Sequence, residues 1–184
     1  MAHIAVLGLG NWGSAIARLW LLEGHKVKGW TIEQEVYESI TMEGMNHKYL
    51  PDHSLEGLEA TMHVEEALEG SEIIVLAVPS SVILNVVEDI IPHLRPGHVL
   101  LDLAKGLAPG KRLISEAIHQ MLDHNNMHNP LAVLTGPTIA PEAAGGVMTT
   151  ALVASEDVSV AENLATTLTT PTFILHPASD PAGA

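Results

Sequence analysis

Residues 3–13 read His3-Ile4-Ala5-Val6-Leu7-Gly8-Leu9-Gly10-Asn11-Trp12-Gly13. A short apolar run of strand composition breaks into a G-x-G-x-x-G turn. The next stretch, Asn11–Glu23, has helical spacing, with Ile16, Leu19 and Trp20 on one face and Gly24 as its stop. Strand, glycine turn and helix in that order are the setting in which this motif carries chemistry. Gly8 permits the tight turn. Gly10 lacks a Cβ, so the backbone can approach a pyrophosphate. Gly13 lets the helix pack close to the strand. The free N–H groups and the positive end of the helix dipole then face an anion. The alternative is a strand–turn–helix unit that merely needs its glycines.

Outward from this unit, short apolar runs alternate with amphipathic stretches. Strands are expected at Lys26–Trp30, Ile73–Val78, Val99–Leu103, Ala132–Thr135, Thr150–Ala154 and Thr172–Leu175. Helices are expected at Glu33–Met42, Val64–Leu68, Val82–Ile91, Lys111–Asp123, near Pro141–Gly145 and at Val158–Leu168. Met45–Glu59 carries a proline and little periodicity and reads as loop. Strands separated by helices at this pitch predict an α/β fold, a Rossmann-like doubly wound, mostly parallel sheet with helices on both faces. Continuous rather than alternating apolar strands fit burial on both sides. Residues 1–176 form the expected dinucleotide-binding domain. Residues 177–184 (PASDPAGA) read as a tail or the start of a truncated linker.

The composition narrows the function. Of 184 residues, 47% are apolar and 16% charged, and the mean hydropathy is +0.24, which excludes general disorder. No apolar run approaches the roughly 18 residues of a membrane span. The absence of cysteine excludes a thiolate nucleophile and Cys-ligated metal. The start MAHIAVLGLG has no basic segment and no small-residue cleavage site, so it does not read as a secretory signal, and a cytoplasmic protein is expected. Eight basic residues against 22 acidic ones give a charge of −14, which argues against nucleic acid as partner. A small phosphorylated ligand is not excluded, because one lysine and a row of amides can hold it.

The remaining candidates lie at expected strand ends. After Lys26–Trp30 no Lys or Arg occurs between Thr31 and His47, whereas Glu33, Glu35, Glu38 and Glu43 are acidic. A ribose 2′-hydroxyl can donate to a carboxylate such as Glu33, which favours NAD as the cofactor and leaves NADP open. The other glutamates read as a solvated helix face. Lys105, one of five lysines, follows an apolar strand. It is either a solvated lysine or a donor that stabilises negative charge developing on a substrate oxygen. Thr135-Gly136-Pro137-Thr138 offers a hydroxyl and amides at the same rim, or is an ordinary turn with Thr138 as N-cap. Asp102 would need a partner if buried, and the sequence names none. His124 and His128 are four apart, but the asparagines and the proline around them make a loop, so no metal site is expected. No Ser-His-Asp signature occurs.

Taken together, GLGNWGSAIA at the start, Asn46-His47-Lys48-Tyr49-Leu50-Pro51, Ala77-Val78-Pro79-Ser80, Lys105-Gly106-Leu107 and Leu134-Thr135-Gly136-Pro137-Thr138-Ile139-Ala140 resemble the bacterial NAD(P)-dependent glycerol-3-phosphate dehydrogenase family. The resemblance implies hydride transfer between nicotinamide C4 and C2 of glycerol 3-phosphate or dihydroxyacetone phosphate, in glycerol-3-phosphate metabolism and phospholipid biosynthesis. It places Asn11, Trp12, Pro79, Tyr49 and Ala140 at the cofactor, Lys105 at both cofactor and substrate as an auxiliary catalytic residue, and Gly136 and Thr138 at the substrate.

There are two departures from that family. Its members carry Arg or His where this chain has Ile32, which bears on the adenosine contacts. The family also has a second, helical domain that supplies the main catalytic lysine and an Arg-Asn pair for the substrate phosphate. Beyond Lys105 the remaining Lys and Arg residues here are Lys111 and Arg112. Losing an acid/base group forfeits about 10²–10⁴ in rate. The expectation is therefore the cofactor-binding domain of such an enzyme, inactive by itself, with a homodimer or the missing helical domain as partner. The alternative is a stand-alone NAD(H)-binding module without turnover.

Overall fold

The computed structural model describes residues 1–183. In chain order its elements are β1 (His3–Leu7), α1 (Asn11–Leu22), β2 (Lys26–Trp30), α2 (Gln34–Glu43), β3 (Met45–Asn46), β4 (Leu50–Ser54), β5 (Glu59–Thr61), α3 (Val64–Leu68), β6 (Ile73–Leu76) and α4 (Ile83–Ile90), the last running into a 3-10 turn at Ile91–His93. There follow β7 (Val99–Asp102), β8 (Leu107–Ala108), β9 (Arg112–Leu113), α5 (Ile114–His124), β10 (Leu131–Thr135), α6 (Ala140–Ala144), β11 (Thr149–Ala154), α7 (Val158–Leu168) and β12 (Phe173–Ala178). Eight strands form one sheet in the order β12-β11-β10-β7-β6-β1-β2-β5. Every pairing in it is parallel except β10 with β11.

The continuous apolar strands are explained by two cores, one on each face. Ile4 and Val6 of β1 and Ile73 and Val75 of β6 face Ile16 and Trp20 of α1, Val36 and Ile40 of α2, and residues of α6 and α7. Ala5, Leu7, Ile74 and Leu76 face α3, α4 and α5. Side chains alternate between faces along a strand, so a strand covered twice must be apolar throughout. Trp20 is fully buried, and its Nε1 donates to the Leu168 carbonyl at 3.1 Å, which satisfies its polar atom. Arg18 donates from Nε to the Ala144 carbonyl and from a terminal nitrogen to the Ser54 carbonyl, joining α1 to the end of α6 and to β4.

Three segments depart from the sequence reading. Met45–Glu59 is not a plain loop: β3 and β4 form an antiparallel hairpin, and β5 then joins the sheet edge beside β2. α5 starts at Ile114 rather than Lys111, because Leu107–Leu113 is a second hairpin in which Lys111 has φ +60. Glu116 accepts from the Leu113 N–H and marks the helix start. The last strand runs on to Ala178, paired with β11 along its length.

Candidate functional site

The crossover from β1 through α1 leads to β2, while β6 lies on the other side of β1. The order of strands therefore reverses there, and a crevice opens beyond their carboxyl ends. The loops at this rim are residues 8–10 after β1, 77–82 after β6, 103–106 after β7 and 136–139 after β10.

The glycine turn is built as the motif requires. Gly8 has φ +104, and a Cβ there would lie 2.7 Å from the Ala77 carbonyl oxygen. A Cβ on Gly13 would lie 1.8 Å from the Gly8 oxygen, so helix and turn touch only because that atom is missing. Gly10 differs: a Cβ there meets nothing within 4 Å and would project into open space. Gly10 is also the N-cap of α1, without a side-chain cap and without an acidic residue in the first turn. The first amides of a twelve-residue helix are left to an outside acceptor.

Two cavities meet over this turn and share Gly10, Ala77, Val78 and Pro79. One, about 450 Å³, extends toward β2 and is walled by Trp30, Thr31, Ile32, Glu33, Tyr49 and Val82. The other, about 500 Å³, extends toward β7 and β10 and is walled by Asn11, Trp12, Ser80, Lys105, Thr138 and Ala140. Together they form one trough with an apolar arm and a polar arm. Among the described residues, Lys105 is the single titratable one lining the polar arm. A further cavity of about 380 Å³ at the opposite rim is lined by Glu56, Glu59 and Glu69. Lys26, Lys28, His3 and His25 line it as well, so charge does not decide against it. It lies at the amino ends of β1 and β2, away from the uncapped amide end of α1, and the trough is the better anion site on that ground.

The apolar arm is closed by side chains that the sequence reading did not connect. Asn46, fully buried, donates from Nδ2 to the Leu9 carbonyl and to Ser14 Oγ, both at 2.9 Å, and its Oδ1 accepts the Tyr49 N–H at 3.1 Å. One amide thus fastens the β3–β4 hairpin to the glycine turn. Tyr49 then donates its hydroxyl to Glu33 Oε1 at 2.8 Å. Lys48 donates to Glu33 Oε2 and to Glu35 Oε1. The absence of a cation from Thr31 to His47 therefore does not leave Glu33 alone, because Lys48 returns to it across α2. Lys48 and Tyr49 hold the Glu33 carboxyl below its usual range. Glu33 and Glu35 push the Lys48 ammonium above its own. Glu38 and Glu43 pair with Gln34 and His47 on the exposed helix face, away from the trough.

In the polar arm, Trp12 is set edge-on against Phe173 of β12, with ring centroids 6.1 Å apart. Asp102, 2% exposed, has the partner that the sequence did not name: its Oδ1 accepts the Ala104 N–H at 2.8 Å, directly before Lys105. Burial pushes its carboxyl up to about 7 against the pull of that bond. Gly136 lies against β11, where a Cβ would meet Ala151 Cα at 3.0 Å, and it does not line the trough, whereas Thr138 does. Thr138 is not the N-cap of α6, a position held by Ile139.

Comparison with known proteins gives a consistent picture. The family model described as NAD-dependent glycerol-3-phosphate dehydrogenase N-terminus matches residues 3–161. A glycerol-3-phosphate dehydrogenase [NAD(P)+] of Halothermothrix orenii is 35% identical over 182 residues, 98% of this chain and 52% of that protein. One from Acidobacterium capsulatum is 36% identical over 189 residues, 100% of this chain and 56% of that protein. The crystal structure of a glycerol-3-phosphate dehydrogenase from Coxiella burnetii superposes with a TM-score of 0.87 at 30% identity, covering 97% of this chain and 54% of that one. The chain spans about half the length of the curated relatives it matches. No helix among the described residues is long and apolar enough to cross a membrane.

Proposed function

The chain belongs to the NAD-dependent glycerol-3-phosphate dehydrogenase family through its N-terminal domain, and from that premise we propose that it binds a nicotinamide dinucleotide along the trough and presents it to a three-carbon phosphate. The observation that carries the reading is the uncapped amide end of α1 opening into the same trough as Lys105 and Thr138. The residues fit such a cofactor. Gly10 leaves the space that a diphosphate needs, the apolar arm suits adenosine, and Trp12 walls the arm on the other side of the turn.

When bound, the cofactor supplies or accepts hydride at nicotinamide C4. The amides of Asn11 and Trp12 and the α1 dipole hold the diphosphate. Pro79 and Ala140 shape the walls. Lys105 donates from Nζ to the oxygen on C2 of dihydroxyacetone phosphate and stabilises its developing charge. The Thr138 hydroxyl helps to orient the same substrate. A proton donor other than Lys105 and a phosphate grip come from outside this trough, on a helical domain or a partner chain. The cytoplasm is the compartment this reading implies.

Titrating the 184-residue chain with NADH, followed by fluorescence, tests the proposal. Saturable binding is expected, with a loss of about a hundredfold or more in Gly10→Val at unchanged melting temperature. Unaltered affinity in that variant would move the site elsewhere. Oxidation of NADH by dihydroxyacetone phosphate should be at least about a hundredfold below ordinary enzymatic rates. Normal turnover would refute the placement of the proton donor.

A further inference from the structure

The cluster at the end of the apolar arm has a property that neither the glycine turn nor the substrate chemistry uses. Lys48 is a half-exposed cation beside the wall where the adenosine ribose would lie, and among the described residues it is the only Lys or Arg hydrogen-bonded to Glu33. Two carboxylates, those of Glu33 and Glu35, share its one ammonium. The group as a whole therefore carries an excess negative charge, and the Tyr49 hydroxyl is committed to Glu33 as well. A hydroxyl and a phosphate meet different chemistry there. A 2′-hydroxyl can donate to a Glu33 oxygen already fixed by Tyr49 and Lys48, with no rearrangement. A 2′-phosphate brings close to two more negative charges against that oxygen and finds the nearby cation engaged.

We propose that Lys48 is the residue on which the choice between NAD(H) and NADP(H) turns: clamped between Glu33 and Glu35 it fixes the carboxylate that accepts a 2′-hydroxyl, and released from them it becomes a receptor for a 2′-phosphate. Its placement is reinforced from below. The Asn46 side chain joins the hairpin turn to Leu9 and Ser14, so residues 48 and 49 are held in register with the glycine turn. The proposal rests on the trough being the dinucleotide site. It goes further by assigning discrimination to a residue outside the cavity wall, acting through Glu33.

The test is a set of titrations of the full chain with NADH and with NADPH, by calorimetry, for the unaltered protein, Glu33→Gln, Lys48→Ala and Glu33→Gln/Lys48→Ala. The unaltered chain should favour NADH by about tenfold or more. Glu33→Gln should weaken NADH by about threefold to tenfold and strengthen NADPH by about tenfold. Lys48→Ala should weaken NADH by only about threefold. In the double variant the NADPH gain should vanish, and its loss on removing Lys48 should shrink as salt is raised. Circular dichroism confirms the fold of each of these surface variants. Equal affinity for the two nucleotides in the unaltered chain overturns the proposal while leaving the site intact. So does an NADPH gain in Glu33→Gln that persists without Lys48. Failure of both nucleotides to bind the unaltered chain overturns the site itself.

Discussion

The two arms of the trough are built to different standards. Around the apolar arm the polar side chains have fixed partners: Asn46 bonds to Leu9, Ser14 and Tyr49, and Glu33 bonds to Tyr49 and Lys48. The polar arm holds Lys105 on a loop anchored just before it by the Leu103 N–H on the Leu76 carbonyl and the Ala104 N–H on Asp102, followed by a small hairpin. The side-chain framework of the apolar arm is thus complete, while the polar arm offers one titratable side chain and open space. With adenosine in the first arm and the reacting carbon in the second, as proposed, such a scaffold needs further groups to react. That is why the activity proposed here belongs to a larger assembly than the trough itself.

The largest effect should come from the glycines, and it separates packing from binding. Gly13→Ala puts a Cβ 1.8 Å from the Gly8 oxygen, so stability should fall by more than about 3 kcal/mol in urea melts. Gly10→Ala meets no atom and should stay within about 1 kcal/mol. Similar losses in both would mean that the turn is strained as a whole rather than shaped for an anion.

The next effect tests the weaker arm through pH. Asp102 has its pKa raised from 3.8 to about 7 on folding. The folded chain therefore holds the proton more tightly than the unfolded one. Its contribution is complete below about pH 4 and is lost as pH rises through about 7. At about 1.4 kcal/mol per unit, the ceiling is about 4 kcal/mol, and relaxation of the loop will lower it. Asp102→Asn should flatten this slope and be more stable than the parent at pH 8, as read by thermal melts from pH 4 to 8. An unchanged slope would mean that the carboxylate is solvated.

Asn46→Ala probes the stronger arm. It leaves the Tyr49 N–H without a partner and the Leu9 carbonyl with the Ser14 hydroxyl alone, at a cost of about 2 kcal/mol. NADH affinity should fall by about tenfold, because Glu33 and Tyr49 lose their register with the turn. The smallest effect is expected at Lys105. Lys105→Ala should change stability by less than about 0.5 kcal/mol and NADH affinity by about threefold. A large loss of NADH affinity there would shift the weight of cofactor binding to the polar arm.

Much of this was legible in the sequence because it is local. The apolar runs of β1, β6 and β7 and the glycine turn are contiguous signals, each decided within about ten residues by burial on both faces or by a missing Cβ. The hairpins at 45–54 and 107–113 left no such trace. β3, β8 and β9 have two residues each and no period to read, and in β4 Pro51 interrupts a largely exposed, polar strand. Tyr49 entered the site reading through a family motif, but its link to Glu33 did not. That contact spans α2 and depends on Asn46, whose burial no local pattern announces. The pairing of Lys48 with Glu33 fifteen positions away was hidden for the same reason. Asp102, the one charge in an otherwise apolar strand, was visible as an anomaly. The backbone amide that receives it became evident only once the chain turned after β7.

The central claim is that a dinucleotide lies across the carboxyl ends of the strands, over the open amide end of α1. Amide chemical shifts of the labelled chain, followed while NADH is added, test it most directly. The account predicts large, saturable shifts at Gly10, Asn11, Trp12, Tyr49 and Lys105, with the opposite rim around His25 and Glu69 still. Shifts confined to that opposite rim, with residues 10–12 unmoved, would contradict it.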